Sequence, residues 1–171
     1  KISLDHLQGK KGHIIVALIV TAAEGKFDNQ FVLRQKSFIE AVAPDVHVDL
    51  VDTDTQNYDF AAADIIFIAG GNTFKLLRSL RIINFKETVF ECLKRGGVVV
   101  GASAGALVLG PSVSIANEVT PDTNDIEIID FEAFKIVDMT IYPHYTLEVE
   151  PAIVAFEETH SCSVQRLDND A

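Results

Sequence analysis

The 171-residue sequence is poor in positive charge. Fourteen Lys and Arg stand against twenty-five Asp and Glu, a formal net charge of −11, and the basic residues form no cluster. Binding a nucleic-acid backbone needs many cations on one face, so that class of partner is excluded. Long apolar runs are missing as well. The longest, Ile14 to Ala23 interrupted by Thr21, is too short to cross a bilayer. No basic n-region and cleavage site precede it, so neither a membrane span nor export is expected. Only two cysteines occur, Cys92 and Cys162. They make no CxxC pair and no disulfide framework, which points to a reducing cytoplasm. No HExxH motif or clustered Cys/His ligand set is present, so no metal or other cofactor is expected. Repeats, low-complexity tracts and linkers are absent too. What remains, 48% hydrophobic and 23% charged residues, is the composition of a globular protein, and the length fits one domain spanning 1–171.

Within that domain, buried-strand patterns alternate with helical ones. Ile14 to Val20, Asp64 to Ala69 and Val98 to Ala102 are nearly continuous apolar runs, the pattern of strands buried on both faces. Val46, Val48 and Leu50 alternate with polar residues, which predicts a strand with one wet face. Ile136 to Tyr142 and Ser163 to Leu167 read as two further strands. Between them, Phe31, Phe38, Ile39 and Val42 form one helical stripe, with Asp28 or Asn29 as its N-cap and Pro44 at its exit. Phe74, Leu77 and Leu80 mark a second helix. Phe85, Val89, Cys92 and Leu93 mark a third, with Asn84 and Glu87 spaced as a variant capping box. Ala104 to Leu109 is a short helix, a polar loop follows over about 116–125, and Pro151 opens the last helix. Strands alternating with helices predict an α/β fold: a single three-layer domain with a mainly parallel sheet and helices on both faces. The polar run Asp168, Asn169, Asp170 and the start at Lys1 predict that one or more terminal strands of such a domain are missing.

In open α/β sheets, sites form beyond the carboxyl ends of the strands. Three segments there carry unusual residues: Gly70-Gly71-Asn72, Gly101-Ala102-Ser103-Ala104-Gly105 and Pro143-His144. The second is G-x-S-x-G between a strand and a helix, the pattern of a nucleophile elbow. A tight, strained turn lifts the serine hydroxyl out, and the N–H of Ala104 at the helix start faces a developing oxyanion. A turn packed with small residues accounts for the glycines and alanines but not for a serine at the apex. Gly70-Gly71 on the neighbouring strand is either a bare turn or the source of a second oxyanion N–H. Asn72 and Thr73 either cap the following helix or hydrogen-bond a substrate, and the two roles are compatible. A serine needs a base. Of the five histidines, His144 alone follows a buried strand at this edge. Asp122 and Asp125, in the loop between Ser103 and His144, are both candidates for the acid that orients the imidazole, against a plain loop or Asx-turn reading for either. The order Ser, Asp, His also occurs in α/β-hydrolases, but too little chain lies between Ser103 and His144 to hold their additional strands and helices.

These residues resemble a known family. Ala69-Gly70-Gly71-Asn72-Thr73-Phe74-Lys75-Leu76-Leu77, Gly101-Ala102-Ser103-Ala104-Gly105-Ala106 and Pro143-His144-Tyr145 are similar, in that order, to the motifs of the dipeptidase E and cyanophycinase family of serine peptidases, nearer its dipeptidase E branch. The resemblance runs from about Ile14 to Tyr145. It implies a class I glutamine amidotransferase-like fold, Ser103 as nucleophile, His144 as base, Gly71 and Ala104 as oxyanion donors, and Gly70, Asn72 and Thr73 beside the substrate. Counting back from Pro-His-Tyr without a gap puts the family's aspartate on Asp122, with Phe131 and Ala133 also in register; Asp125 is the second choice. Aspartyl dipeptidases of the family carry a basic residue after the histidine. Tyr145 to Glu158 has no Arg or Lys, so the resemblance does not extend to a preference for N-terminal aspartate.

The expected activity is hydrolysis of small peptides through a Ser-His-Asp triad and an acyl-enzyme, by a monomer or homodimer. An esterase-like hydrolase using the same residues and a non-catalytic binding or sensor protein are the alternatives.

Overall fold

The computed structural model describes residues 13–42 and 45–169. In chain order they form β1 (Ile14–Ile19), α1 (Gln30–Val42), β2 (Val46–Val51), β3 (Ile65–Ile68), α2 (Thr73–Ile82), α3 (Phe85–Lys94), β4 (Val98–Gly101), α4 (Ala104–Leu109), α5 (Ile115–Glu118), β5 (Thr140–Tyr142), α6 (Glu150–His160) and β6 (Val164–Arg166). The first four strands make one sheet in the order β2-β1-β3-β4, and every neighbouring pair is parallel. The chain moves outward from β1 to β2, then crosses to the other side of β1 for β3. The order therefore reverses between β1 and β3, where open α/β sheets leave a crevice at the carboxyl edge. β5 and β6 form a separate parallel pair, with Thr140, Ile141 and Tyr142 opposite Val164, Gln165 and Arg166.

The apolar runs of β1 and β3 become strands buried on both faces because each face meets helices, whereas β4, at the edge of the sheet, is only half-buried. From β1, Val16 and Leu18 join Val32 of α1 in one core. Ala17 and Ile19 point the other way, against Phe74 and Leu77 of α2 and Val89 of α3. Phe74 and Phe85 are fully buried; truncating either to alanine costs about 3–5 kcal/mol in such settings.

Four local expectations change. Asn29 does cap α1, accepting from the N–H groups of Phe31 (2.9 Å) and Val32 (3.1 Å). The buried stripe, however, runs through Val32 and Ile39, while Phe31 and Phe38 face solvent at 75% and 72% exposure. Residues 31 and 32 lie about 100° apart on a helix, and the sheet takes the narrower, aliphatic face. The side chain of Val42 and Pro44 lie outside the described residues. Asn84 forms no capping box: it turns left-handed (φ 55°) between α2 and α3 without a side-chain cap.

The strand expected over Ile136–Tyr142 is only Thr140–Tyr142. The preceding residues answer the open carbonyls at the end of α4. Phe134 N–H donates to Val108 O (3.0 Å), Lys135 N–H to Gly110 O (2.8 Å) and Ile136 N–H to Leu109 O (2.9 Å). A helix end must be satisfied somewhere, and here it also takes the N–H groups of Ile136 and Val137, the first two residues of the expected strand. The polar loop at 116–125 also begins inside the helical turn α5.

Candidate active site

Ser103 sits between β4 and α4 with φ 53° and ψ −118°. That is outside the regions L-residues favour, and such strain persists only where the surroundings over-determine it. The flanking glycines supply the over-determination. A Cβ on Gly105 would lie 2.2 Å from Ile68 O, and one on Gly101 would lie 2.4 Å from Gly105 O. Without those side chains α4 seats directly on the end of β3, and the apex is forced outward.

The end of β3 passes alongside. Gly71 holds φ +141°, and a Cβ there would lie 2.1 Å from Ala22 O, so the turn is pressed against the end of β1 at the switch point. Asn72 N–H donates to the same carbonyl (3.2 Å). Among the described residues, neither Gly71 N–H nor Ala104 N–H donates to a protein acceptor.

His144 also has a positive φ, 59°, which turns its ring back over the sheet edge. Nε2 lies 2.9 Å from Ser103 Oγ, and Nδ1 lies 2.6 Å from Oδ1 of Asn169. The parallel pair β5–β6 explains the second contact. Leu167 N–H donates to Tyr142 O (3.0 Å) and Tyr145 N–H to Leu167 O (2.9 Å), so the residues just past both strand ends run side by side. Asn169 did not emerge as a candidate from the sequence. The signal available was its place just after a strand-like segment, the same edge rule that selects Ser103 and His144.

The two aspartates have other partners. Asp122 Oδ2 accepts from Thr73 N–H in the first turn of α2 (2.9 Å), where an N–H without an intrahelical acceptor and the helix dipole both favour a carboxylate. Asp125 pairs with Lys75 Nζ at 2.9 Å. Among the described residues, neither carboxylate hydrogen-bonds to the His144 ring. Asn72 caps α2 through Lys75 N–H (3.0 Å) and donates from Nδ2 to Thr123 O (2.7 Å), sewing the 120–125 loop to the helix. Gly70 touches the serine, since a Cβ built there would lie 3.0 Å from Ser103 Cβ.

Ser103 and His144 open into a cavity of about 330 Å³ walled by Leu107, Ile115, Thr120, Asp122, Tyr142 and Val149, with Gly71, Thr73 and Ala104 at its edge. Among the described residues, no Lys or Arg lines it. A larger cleft, about 490 Å³, lies beside Tyr58, Phe60 and Arg95. It holds no serine–histidine pair, so the smaller cavity is the chemically equipped one.

An ionic clamp fixes the strand pair beneath His144. Arg166 Nη1 and Nη2 reach Glu157 at 2.7 and 3.0 Å, while Nη2 and Nε reach Glu150 at 3.0 and 3.1 Å. The guanidinium holds Glu157 down at about 2 and Glu150 below its usual range. Burial, followed by a hydrogen bond to Glu150, pushes the Tyr145 phenol up. With both planar edges engaged, Arg166 has little left to offer a substrate.

The chain matches the model of peptidase family S51 over residues 5–171. An uncharacterized peptidase of Listeria innocua is 28% identical over 146 residues, which cover 82% of this chain and 67% of that protein. Peptidase E of Escherichia coli is 34% identical over 87 residues, 49% of this chain and 35% of that protein, so this stretch spans about a third of that relative's length. A crystal structure of a protein provisionally named Peptidase E, from Listeria monocytogenes, superposes with TM-score 0.75 at 22% identity over 94% of this chain and 81% of that one. That last likeness is one of fold.

Proposed function

The chain belongs to peptidase family S51, and from that premise we propose that it hydrolyses small peptides by a serine mechanism, with Ser103 as nucleophile and His144 as base. The observation that carries the reading is the 2.9 Å approach of Nε2 to Oγ at a strained strand-to-helix turn. In the first step Oγ attacks the scissile carbonyl carbon while its proton passes to Nε2. The carbonyl oxygen takes the electron pair and is met by the N–H groups of Ala104 and Gly71. The imidazolium returns the proton to the leaving amine, and an ester to Ser103 remains. Water, deprotonated by the same nitrogen, then attacks the ester carbonyl, and the imidazolium returns that proton to Oγ as the acid departs.

The cavity supports a small substrate. Its walls are mainly apolar, and its charged lining residue, Asp122, is negative. An uncharged side chain beside the scissile bond fits these walls, whereas an acidic one meets a carboxylate and no cation. The orienting role expected of Asp122 or Asp125 is not carried into this reading, because among the described residues Nδ1 of His144 meets Asn169 and neither carboxylate hydrogen-bonds to the ring.

A fluorophosphonate probe tests the mechanism: labelling on Ser103, abolished in Ser103→Ala, is the expected result. Unlabelled, folded protein would leave the binding or sensor alternative. Parallel turnover of neutral dipeptides and short-chain p-nitrophenyl esters separates peptidase from esterase.

A further inference from the structure

The third partner of the Ser103–His144 pair is an amide. Oδ1 of Asn169 is 2.6 Å from His144 Nδ1, and the parallel β5–β6 pair holds it there through the Leu167 and Tyr145 hydrogen bonds. For Nε2 to accept the serine proton, Nδ1 must carry the other proton and donate it to Oδ1. A carboxylate in this position only accepts, so it enforces that tautomer. An amide has a donor end as well. Turned over about its last side-chain bond, it would donate to Nδ1, place the ring proton on Nε2 and leave the serine without a base. An amide also provides no charge against the imidazolium that forms during attack.

We infer that Asn169 is the positioning residue of His144, acting through Oδ1, and that its neutrality holds the Ser103–His144 pair below the reactivity a carboxylate would confer. The inference rests on the serine mechanism proposed above and deepens it. Titratable groups on the elements around the ring are Asp122 and Tyr142 on the cavity wall, Tyr145, Glu148 and Glu150 after His144, and Arg166 and Asp168 on the β6 side. All are common to the wild type and both Asn169 variants, so differences among those three report residue 169.

The test uses the full chain as wild type, Asn169→Asp, Asn169→Ala and Asp168→Asn, with melting temperatures to verify folding. Fluorophosphonate labelling rates are followed against pH, and nitrogen NMR of His144 reads which ring nitrogen carries the proton. Asn169→Asp is expected to label at least about tenfold faster at neutral pH, with its acid limb displaced upward by about one pH unit. Asn169→Ala is expected to label at least about tenfold more slowly and to mix the two ring tautomers. A folded Asn169→Asp protein no faster than wild type overturns the inference. So does an unaffected Asn169→Ala, or a larger loss in Asp168→Asn than in Asn169→Ala. Labelling at Ser103 that ignores residue 169 defeats the positioning role and leaves the serine mechanism standing. No labelling in any variant, with a ring tautomer that follows residue 169, defeats the serine mechanism and leaves the positioning role standing.

Discussion

Ser103 and His144 lie 41 positions apart, each holds a positive φ, and their reactive atoms meet at 2.9 Å. Two backbone turns that L-residues avoid are maintained, one after β4 of the main sheet and one after β5 of the separate pair, each at a residue to which the proposed mechanism gives a part. The first is imposed by the seating of α4 on β3. The second follows the short strand β5, whose partner β6 is clamped to α6 by Arg166.

Strain at Ser103 makes a stability prediction that runs opposite to activity. Alanine keeps a Cβ and therefore the strain, whereas glycine reaches φ 53°, ψ −118° at little steric cost. A strained turn stores about 1–3 kcal/mol, and glycine returns part of it as unfolded-state entropy. Ser103→Gly is thus expected to be about 1 kcal/mol more stable than Ser103→Ala in urea unfolding, with both proteins unlabelled by the probe. Equal midpoints would mean that the turn is unstrained.

The strands of the main sheet were legible because strands buried on both faces need continuous β-branched runs, as in Ile14–Ile19 and Ile65–Ile68. Ser103 and His144 could be chosen from position, since both follow such runs at the carboxyl edge. Asn169 also follows a strand-like segment, but what brings it to His144 is the register of two three-residue strands, a long-range pairing with little local pattern to single it out. Asp122 lies between serine and histidine in the chain, and its Oδ2 accepts from the N-terminus of α2, a contact between distant segments that no local pattern announces. The face of α1 was misread for a related reason. Periodicity identifies a helix, but the aliphatic row at Val32 and Ile39 and the aromatic row at Phe31 and Phe38 are both periodic, and only the sheet chooses between them.

Gly105 is a packing requirement of the elbow. Its missing Cβ leaves Ile68 O in contact with α4, and alanine would place a carbon 2.2 Å from that backbone oxygen. Backbone must shift, at a cost of about 3 kcal/mol for such overpacking, and the displaced turn should slow labelling at Ser103. Gly96→Ala is the comparison, with φ +77° but nothing within 4 Å of the new carbon. It should cost about 1 kcal/mol from backbone conformation alone and leave labelling intact. Similar losses in the two variants would contradict the packing account.

Asp122→Asn distinguishes a cavity wall from a triad acid. An amide oxygen can still accept from Thr73 N–H, while the charge at the start of α2 is lost. Stability should fall by about 1 kcal/mol, and the labelling rate should change less than about tenfold. Loss of an orienting acid costs about ten-thousandfold where it has been tested in serine proteases. A collapse of that size, with the fold intact, would return Asp122 to the triad.

The Arg166 clamp should set the acid stability of the site. Glu157 is held at about 2 and Glu150 is lowered, both chiefly by hydrogen bonds from Arg166. A carboxylate whose folded value lies below its unfolded value of about 4.3 binds fewer protons when folded. Its stabilisation is therefore complete above that unfolded value and is lost as the pH falls from there toward 2. The melting temperature of the wild type should drop steeply across this window. Arg166→Met removes the cation, so its melting temperature should be lower at neutral pH and its decline through the window shallower. Labelling of Ser103 should slow in the same variant, because the strand that presents Asn169 to His144 is no longer fastened to α6. Parallel melting curves for the two proteins from pH 6 to pH 2 would show that the clamp contributes nothing to folding.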